Sequence, residues 1–106
     1  ITETIEDMEE NKLIGPIVSH AGDGNFHVAL LIDKKSDEEL KKLDSFLIRI
    51  SERAIRMDGT CTGEHGVGQG KRKYMLKELG GAVDIMKKVK NAFDPNKIMN
   101  PGKLFL

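Results

Sequence analysis

The sequence has no tryptophan, one tyrosine, one cysteine and three prolines among 106 residues, and aromatic residues make up only 5% of it. A lone cysteine, Cys61, cannot close an internal disulfide; this fits a reducing compartment and leaves a periplasmic or mitochondrial one open. An excess of one charge sign is also lacking, since 17 Lys and Arg balance 17 Asp and Glu. General attraction to nucleic acid and a polybasic membrane anchor are therefore not expected, whereas a small anionic substrate is compatible. The longest apolar run is Val28 to Ile32, far below the roughly 20 residues that span a bilayer, so no transmembrane segment is expected. Glu3, Glu6, Asp7 and Glu9 give the beginning of the chain an acidic character unlike a signal peptide. There is no internal repeat and no low-complexity tract. The chain reads as soluble and as one domain's worth, with room for a modest core.

What is present is concentrated in two segments, Ser19-His20-Ala21-Gly22-Asp23-Gly24-Asn25-Phe26-His27 and Thr60-Cys61-Thr62-Gly63-Glu64-His65-Gly66, which hold all 3 histidines. Asp23-Gly24 between apolar runs is a hairpin signal. As a two-residue loop it pairs Gly22 with Asn25, Ala21 with Phe26 and His20 with His27. Directly opposed residues have Cβ atoms roughly 5 Å apart, close enough for both imidazoles to bind one metal ion. Glu64 and His65, on a glycine-rich loop, supply a carboxylate ligand and a spare base.

The remaining pattern suggests helices around this hairpin. Ile1, Ile5, Met8 and Leu13 have helical spacing up to Lys12, as at the end of a helix whose beginning is missing, with Gly15-Pro16 as the stop. Ile14 to His20 and Phe26 to Ile32 read as strands apolar on both faces, which should be covered on both sides. Ser36-x-x-Glu39 is a capping box opening a helix from Asp37 to Met57, whose stripe is Leu40, Leu43, Leu47, Ile50, Ala54 and Met57; this helix is expected to pack on the sheet. Five glycines between Asp58 and Gly70 preclude a regular element there. Arg72 to Leu79 forms a helix stopped by Gly80. Ala82 to Phe93 forms another, with Ala82, Met86, Val89 and Phe93 on one face. Asp94-Pro95 opens a short turn through Met99. The fold class is α+β: an antiparallel sheet with helices packed on it, incomplete in this fragment, with at least one neighbouring strand missing.

Each motif also has a bland reading. A single strand histidine is usually a packed core residue, but opposition across a turn favours a ligand pair, and two histidines with one carboxylate leave coordination positions open, as catalytic sites do. Asp23 is better placed for turn hydrogen bonds than for ligation. In an extended loop the side chains of Glu64 and His65 point apart, so one can bind metal while the other reaches substrate. A free imidazole titrates near neutrality, which suits acid-base work; a pair that merely bonds loop amides is the alternative. Gly63 to Gly70 followed by Lys71 and Arg72 satisfies no phosphate-loop pattern, and Lys71, Arg72 and Lys73 read as a solvated basic patch. Cys61 reads as structural, and Met8, Met57, Met75, Met86 and Met99 as core filler. Three functional classes stay open: a redox enzyme, a metal-dependent hydrolase or non-haem iron oxygenase, and a non-catalytic interaction domain.

Taken together, Ser19 to His27, Gly59-Thr60-Cys61-Thr62-Gly63-Glu64-His65-Gly66-Val67-Gly68, Gly70-Lys71-Arg72 and Asn100-Pro101-Gly102-Lys103-Leu104-Phe105 resemble the C-terminal domain of FAD-linked D-2-hydroxyacid dehydrogenases, within the vanillyl-alcohol oxidase flavoprotein superfamily. The resemblance runs from Gly15 onward. It implies a ferredoxin-like substrate domain of which residues 1–106 are a C-terminal part, the N-terminal FAD-binding domain being absent. It implies His20, His27 and Glu64 as ligands of a divalent metal (Zn, Mn or Fe), His65 as the catalytic base, and Asn100 beside the flavin of a bound FAD. The D-2-hydroxyglutarate enzymes carry a polar asparagine near the substrate where this chain has Ala29, which points to D-lactate or glycolate instead. The implied partners are a small 2-hydroxy acid, the protein's own N-terminal FAD domain and a downstream electron acceptor, and a homo-oligomer is compatible. The implied location is cytoplasmic or peripheral at the inner face of a membrane, mitochondrial in a eukaryote. The fragment alone is expected to be inactive.

Overall fold

Helix α1 spans Thr2–Glu10 in the computed structural model, which describes residues 1–105. Its end is a Schellman motif: Leu13 N–H reaches back to Met8 O (2.8 Å) and Lys12 N–H to Glu9 O (3.2 Å), with Lys12 in the left-handed region at φ 54. The stop therefore precedes Gly15-Pro16. The covered residues are Thr4, Asp7 and Met8, while Ile1 and Ile5 are exposed. The helix is rotated relative to the apolar row because Thr4 and Asp7 bind two arginines. Arg49 donates to both Asp7 oxygens, and Arg53 donates to Asp7 and Thr4.

Strands β1 (Ile17–His20) and β2 (Asn25–Val28) form an antiparallel pair. Pairing continues outward in the same register through Ala29 N–H to Pro16 O and Leu31 N–H to Ile14 O. Gly15 lies between those bonds. A Cβ there would meet Ala29 O at 2.2 Å and Leu30 Cα at 2.9 Å, so the close approach of the strands requires glycine. Val18, Leu31 and Ile14 stay exposed, as expected of a ribbon without neighbouring strands.

Helix α2 spans Asp37–Arg56. Ser36 Oγ caps it by accepting from Glu39 N–H, but Glu39 accepts from Asp33 N–H rather than closing the box on Ser36. Phe46, only 1% exposed, is its deepest side chain, and Leu47 and Met57 of the expected stripe face solvent. The chain divides near the end of this helix into two compact units, Ile1–Arg53 and the segment from Ala54 onward.

In the second unit, the glycine-rich stretch after α2 forms no helix or strand. A 3-10 turn, Arg72–Tyr74, leads into α3 (Met75–Leu79), which Gly80 ends in the left-handed region as expected. Helix α4 (Ala82–Phe93) has the expected bounds but the opposite orientation. Val83 is buried, whereas Ile85, Val89 and Phe93 are exposed. Buried Asp94 then organises the following turn by accepting from Ile98 N–H, Met99 N–H and Lys90 Nζ. These donors hold its carboxyl below the ordinary carboxylate range, the Lys90 hydrogen bond contributing most. The architecture is α+β, with one two-stranded antiparallel sheet and four α-helices among the described residues.

Candidate metal and acid-base site

The hairpin places its two histidines together by a different register from the one a two-residue loop implies. His20 pairs with Asn25 and His27 with Val18, because Ala21–Asp23 form a 3-10 turn and Gly24, at φ 68, closes a longer loop. Side chains alternate along a strand and paired residues share a face, so Val18, His20, Asn25 and His27 all stand on one side. The histidines are diagonal neighbours. Their ring centroids lie 6.1 Å apart and nearly perpendicular, and each offers a ring nitrogen within 4.8 Å of the other. Two nitrogens on one zinc lie at most about 4.2 Å apart, at Zn–N distances of about 2.1 Å, so the two rings are near enough for one ion. Borderline nitrogen donors at this separation fit zinc, manganese or iron.

Asn25 was not expected to have a role of its own. Its Nδ2 lies 3.4 Å from His27 Nε2, a contact that orients the ring. The sequence signal is the position itself: Asn25 lies two residues before His27 and therefore on the same strand face.

The second unit carries the other candidates. Glu64 and His65 lie in the glycine-rich loop, their side chains 52% and 79% exposed, with Glu64 Oε1 3.5 Å from His65 Nε2. The expectation that these neighbours point apart is thus corrected: the loop bends at Gly63 and Gly66, where Gly66 N–H reaches Gly63 O and Gly66 has φ 75, and turned rather than extended backbone brings the two side chains toward each other. Asn100 is exposed and left-handed at φ 46, a conformation asparagine tolerates better than most residues. Its segment is tied to the loop that carries Glu64 and His65: Leu104 N–H donates to Gly68 O (2.8 Å) and Arg72 Nη1 to Gly102 O (2.7 Å). Arg72 is thus a structural donor rather than part of a solvated patch, and Lys73 sits 5.1 Å from the centre of the Tyr74 ring.

Cys61 is buried as expected, with its thiol pushed up to about 11 by burial and by Glu78, so little reactive thiolate forms near neutrality. Met8 and Met75 are core residues, but Met57 and Met99 are exposed. An open groove of about 330 Å³ along α1 is lined by Glu3, Glu6, Asp7, Arg49 and Arg53 among others. Its arginines are engaged by Asp7 and Glu3, which makes it an ion-pair seam rather than a reactive centre.

Comparison with known proteins adds the family. The model for "FAD linked oxidases, C-terminal domain" matches residues 1–104. A protein named probable mitochondrial D-lactate dehydrogenase, from Danio rerio, is 47% identical over 105 residues, covering 98% of this chain and 21% of its own length. Mitochondrial D-lactate dehydrogenase [cytochrome] 1 of Saccharomyces cerevisiae is 53% identical over 106 residues, covering 99% of this chain and 18% of its own length. Glycolate oxidase subunit GlcD of Bacillus subtilis is 46% identical over 89 residues, covering 81% and 18%. The chain thus spans about a fifth of the length of these relatives.

Proposed function

Because the chain belongs to the family of C-terminal domains of FAD-linked oxidases, we propose that it is the substrate-side part of a flavin-dependent dehydrogenase that oxidises a small D-2-hydroxy acid, D-lactate or glycolate, to the 2-oxo acid. The observation that carries this reading is the diagonal His20–His27 pair, two imidazoles on one strand face with nitrogens close enough for one ion. His20, His27 and Glu64 would hold a divalent metal, which would supply Lewis acidity toward the substrate's carboxylate and hydroxyl oxygens. FAD, which the family implies and a domain outside this chain would mainly hold, would supply the two-electron acceptor for oxidation at C2. His65 takes the hydroxyl proton, its Nε2 lying 3.5 Å from Glu64 Oε1. A carboxylate has two oxygens, so one can face His65 while the other serves as ligand. Asn100 would contribute to holding the flavin.

A flavin-linked family favours redox chemistry over the hydrolase, oxygenase and non-catalytic alternatives. Ala29 offers no hydrogen bond to a second substrate carboxylate, which supports a monocarboxylate. The relatives' names support a mitochondrial location in a eukaryote, or a cytoplasmic or membrane-peripheral one otherwise. Among the described residues no helix is long and apolar enough to cross a membrane.

A four-variant panel in the full-length protein tests the assignments. His20→Ala, His27→Ala and Glu64→Ala are expected to lose most bound metal by elemental analysis. His65→Ala is expected to keep metal and FAD but reduce the flavin about 10²–10⁴-fold more slowly on rapid mixing with substrate. Unchanged metal content in the first three variants removes the metal site, metal loss in His65→Ala exchanges its role with that of Glu64, and unimpaired flavin reduction in His65→Ala removes the base.

A further inference from the structure

The side chains of Glu64 and His65 are 52% and 79% exposed, so packing does little to fix them, and where they stand depends on how the ends of their loop are held. The end that follows α2 is held first by Gly59 N–H, which donates to Ala54 O (2.9 Å). Glu78, a half-buried residue of α3, then takes over. Its Oε2 accepts from Cys61 N–H (3.0 Å), and the Thr60 hydroxyl and Cys61 thiol also hydrogen-bond to its carboxylate. Thr60 Oγ1 in turn accepts from Thr62 N–H (3.3 Å). Thr60, Cys61 and Thr62 thus converge on one carboxylate, 17 positions beyond Cys61 in the chain. The base of that carboxylate is firm: Tyr74 and Met75, just before it, are 7% and 5% exposed, and Gly80 N–H closes the end of α3 on Leu76 O (3.0 Å). Burial pushes the Glu78 carboxyl up, but the hydrogen bonds from Thr60 and Cys61 outweigh it and hold the group below its ordinary 4.5, so it is ionised at neutral pH.

We propose that Glu78 is a positioning residue of the candidate site: through Thr60 and Cys61 it fixes where the loop presents Glu64 and His65. The proposal rests on the roles given to those two residues under the proposed function. Glu64 follows Cys61 by only three residues, a length of chain that reaches at most about 10 Å, so an anchor at Cys61 limits where the Glu64 carboxylate can go. A displacement of about 1 Å at a reacting group can cost about 10²-fold in rate, and loss of groups that orient metal ligands typically costs about 10–100-fold in metal affinity or activity. Glu78 acts only through the backbone it holds, so its effect depends on its hydrogen bonds and not on its charge.

The test compares Glu78→Ala with Glu78→Gln in the full-length, flavin-loaded protein. Glutamine keeps an acceptor for Cys61 N–H and can donate to Thr60 Oγ1; alanine keeps neither. Three quantities are read: metal affinity by chelator competition, flavin reduction on rapid mixing with D-lactate, and the rate at which iodoacetamide alkylates Cys61, by peptide mapping. Both variants remove the charge that helps burial push the thiol up to about 11, so a difference between them in alkylation reports release of the loop. The expected result is that Glu78→Ala alkylates faster than Glu78→Gln and loses about 10–100-fold in metal affinity or flavin reduction, while Glu78→Gln stays near wild type and both keep FAD and the wild-type melting midpoint. Wild-type behaviour of Glu78→Ala, equal impairment of the two variants, or a lowered melt with parallel loss of FAD would overturn the proposal. Failure of the functional reading looks different: Glu64→Ala keeps its metal and His65→Ala its rate of flavin reduction, and the positioning role falls with it.

Discussion

Asp7 is the most heavily engaged acid of the first unit. It is 6% exposed and accepts hydrogen bonds from Arg49, Arg53 and Asn11. The Arg49 hydrogen bond holds its carboxyl below the ordinary value of 3.8, against the opposing effect of burial, with Arg53 adding to the lowering. A carboxyl whose pKa is depressed on folding contributes stability that is full above its unfolded value and lost as pH falls through the folded one. The contribution of Asp7 should therefore hold from neutrality down to about pH 4 and fade below. Asp7→Asn should cost about 1–3 kcal/mol at pH 7, since it leaves two guanidiniums without their shared anion and Arg49 is partly solvated. The measurement is the urea midpoint at pH 7 and pH 3. A gap between wild type and variant that does not narrow at pH 3 would show that the carboxylate charge is not what Asp7 contributes. Neither arginine could be assigned to Asp7 from sequence, because the contacts join residues 42 and 46 positions apart.

At the scale of elements, the hairpin depends on Gly15. Gly15→Ala would place a methyl group 2.2 Å from Ala29 O. The backbone must move, and with it the bonds Ala29 makes to Pro16 and Leu31 to Ile14. The expected cost is about 1–3 kcal/mol, with lower metal content in the full-length protein because Ala29 lies two residues from His27 on the same strand face. Elemental analysis beside a thermal melt checks both, and an unchanged melt would show that the strands accommodate the methyl. The hairpin, its turn position and its histidine face were legible from Asp23-Gly24 and the flanking alternation. The register was not, since a loop four residues long replaces one of two; because the slip preserves alternation, His20 and His27 still share a side. The bounds of α4 were legible from the glycines before it and Asp94-Pro95 after it. Its orientation was not, because Ala82, Met86, Val89 and Phe93 form a good apolar row and nothing local tells whether the chain itself covers it. Likewise Glu64 and His65 were identifiable as residues, but their mutual approach depends on how the glycines turn the loop.

At the scale of the whole molecule, the chain matches a family named for a C-terminal domain and spans about a fifth of its relatives. The purified 106-residue chain should therefore fail to oxidise D-lactate with a dye acceptor, even with FAD added; turnover would show that it binds flavin by itself. The paired bonds from Leu104 to Gly68 and from Arg72 to Gly102 have a consequence in time. A glycine-rich loop left to itself reorients in nanoseconds to microseconds. Here, full release of the loop from the segment that carries Asn100 requires both bonds to break. Glu64 and His65 therefore sit in a loop whose later end, at Gly68, is held by Leu104, so that their freedom to reorient is narrower than that of an untied loop of the same composition.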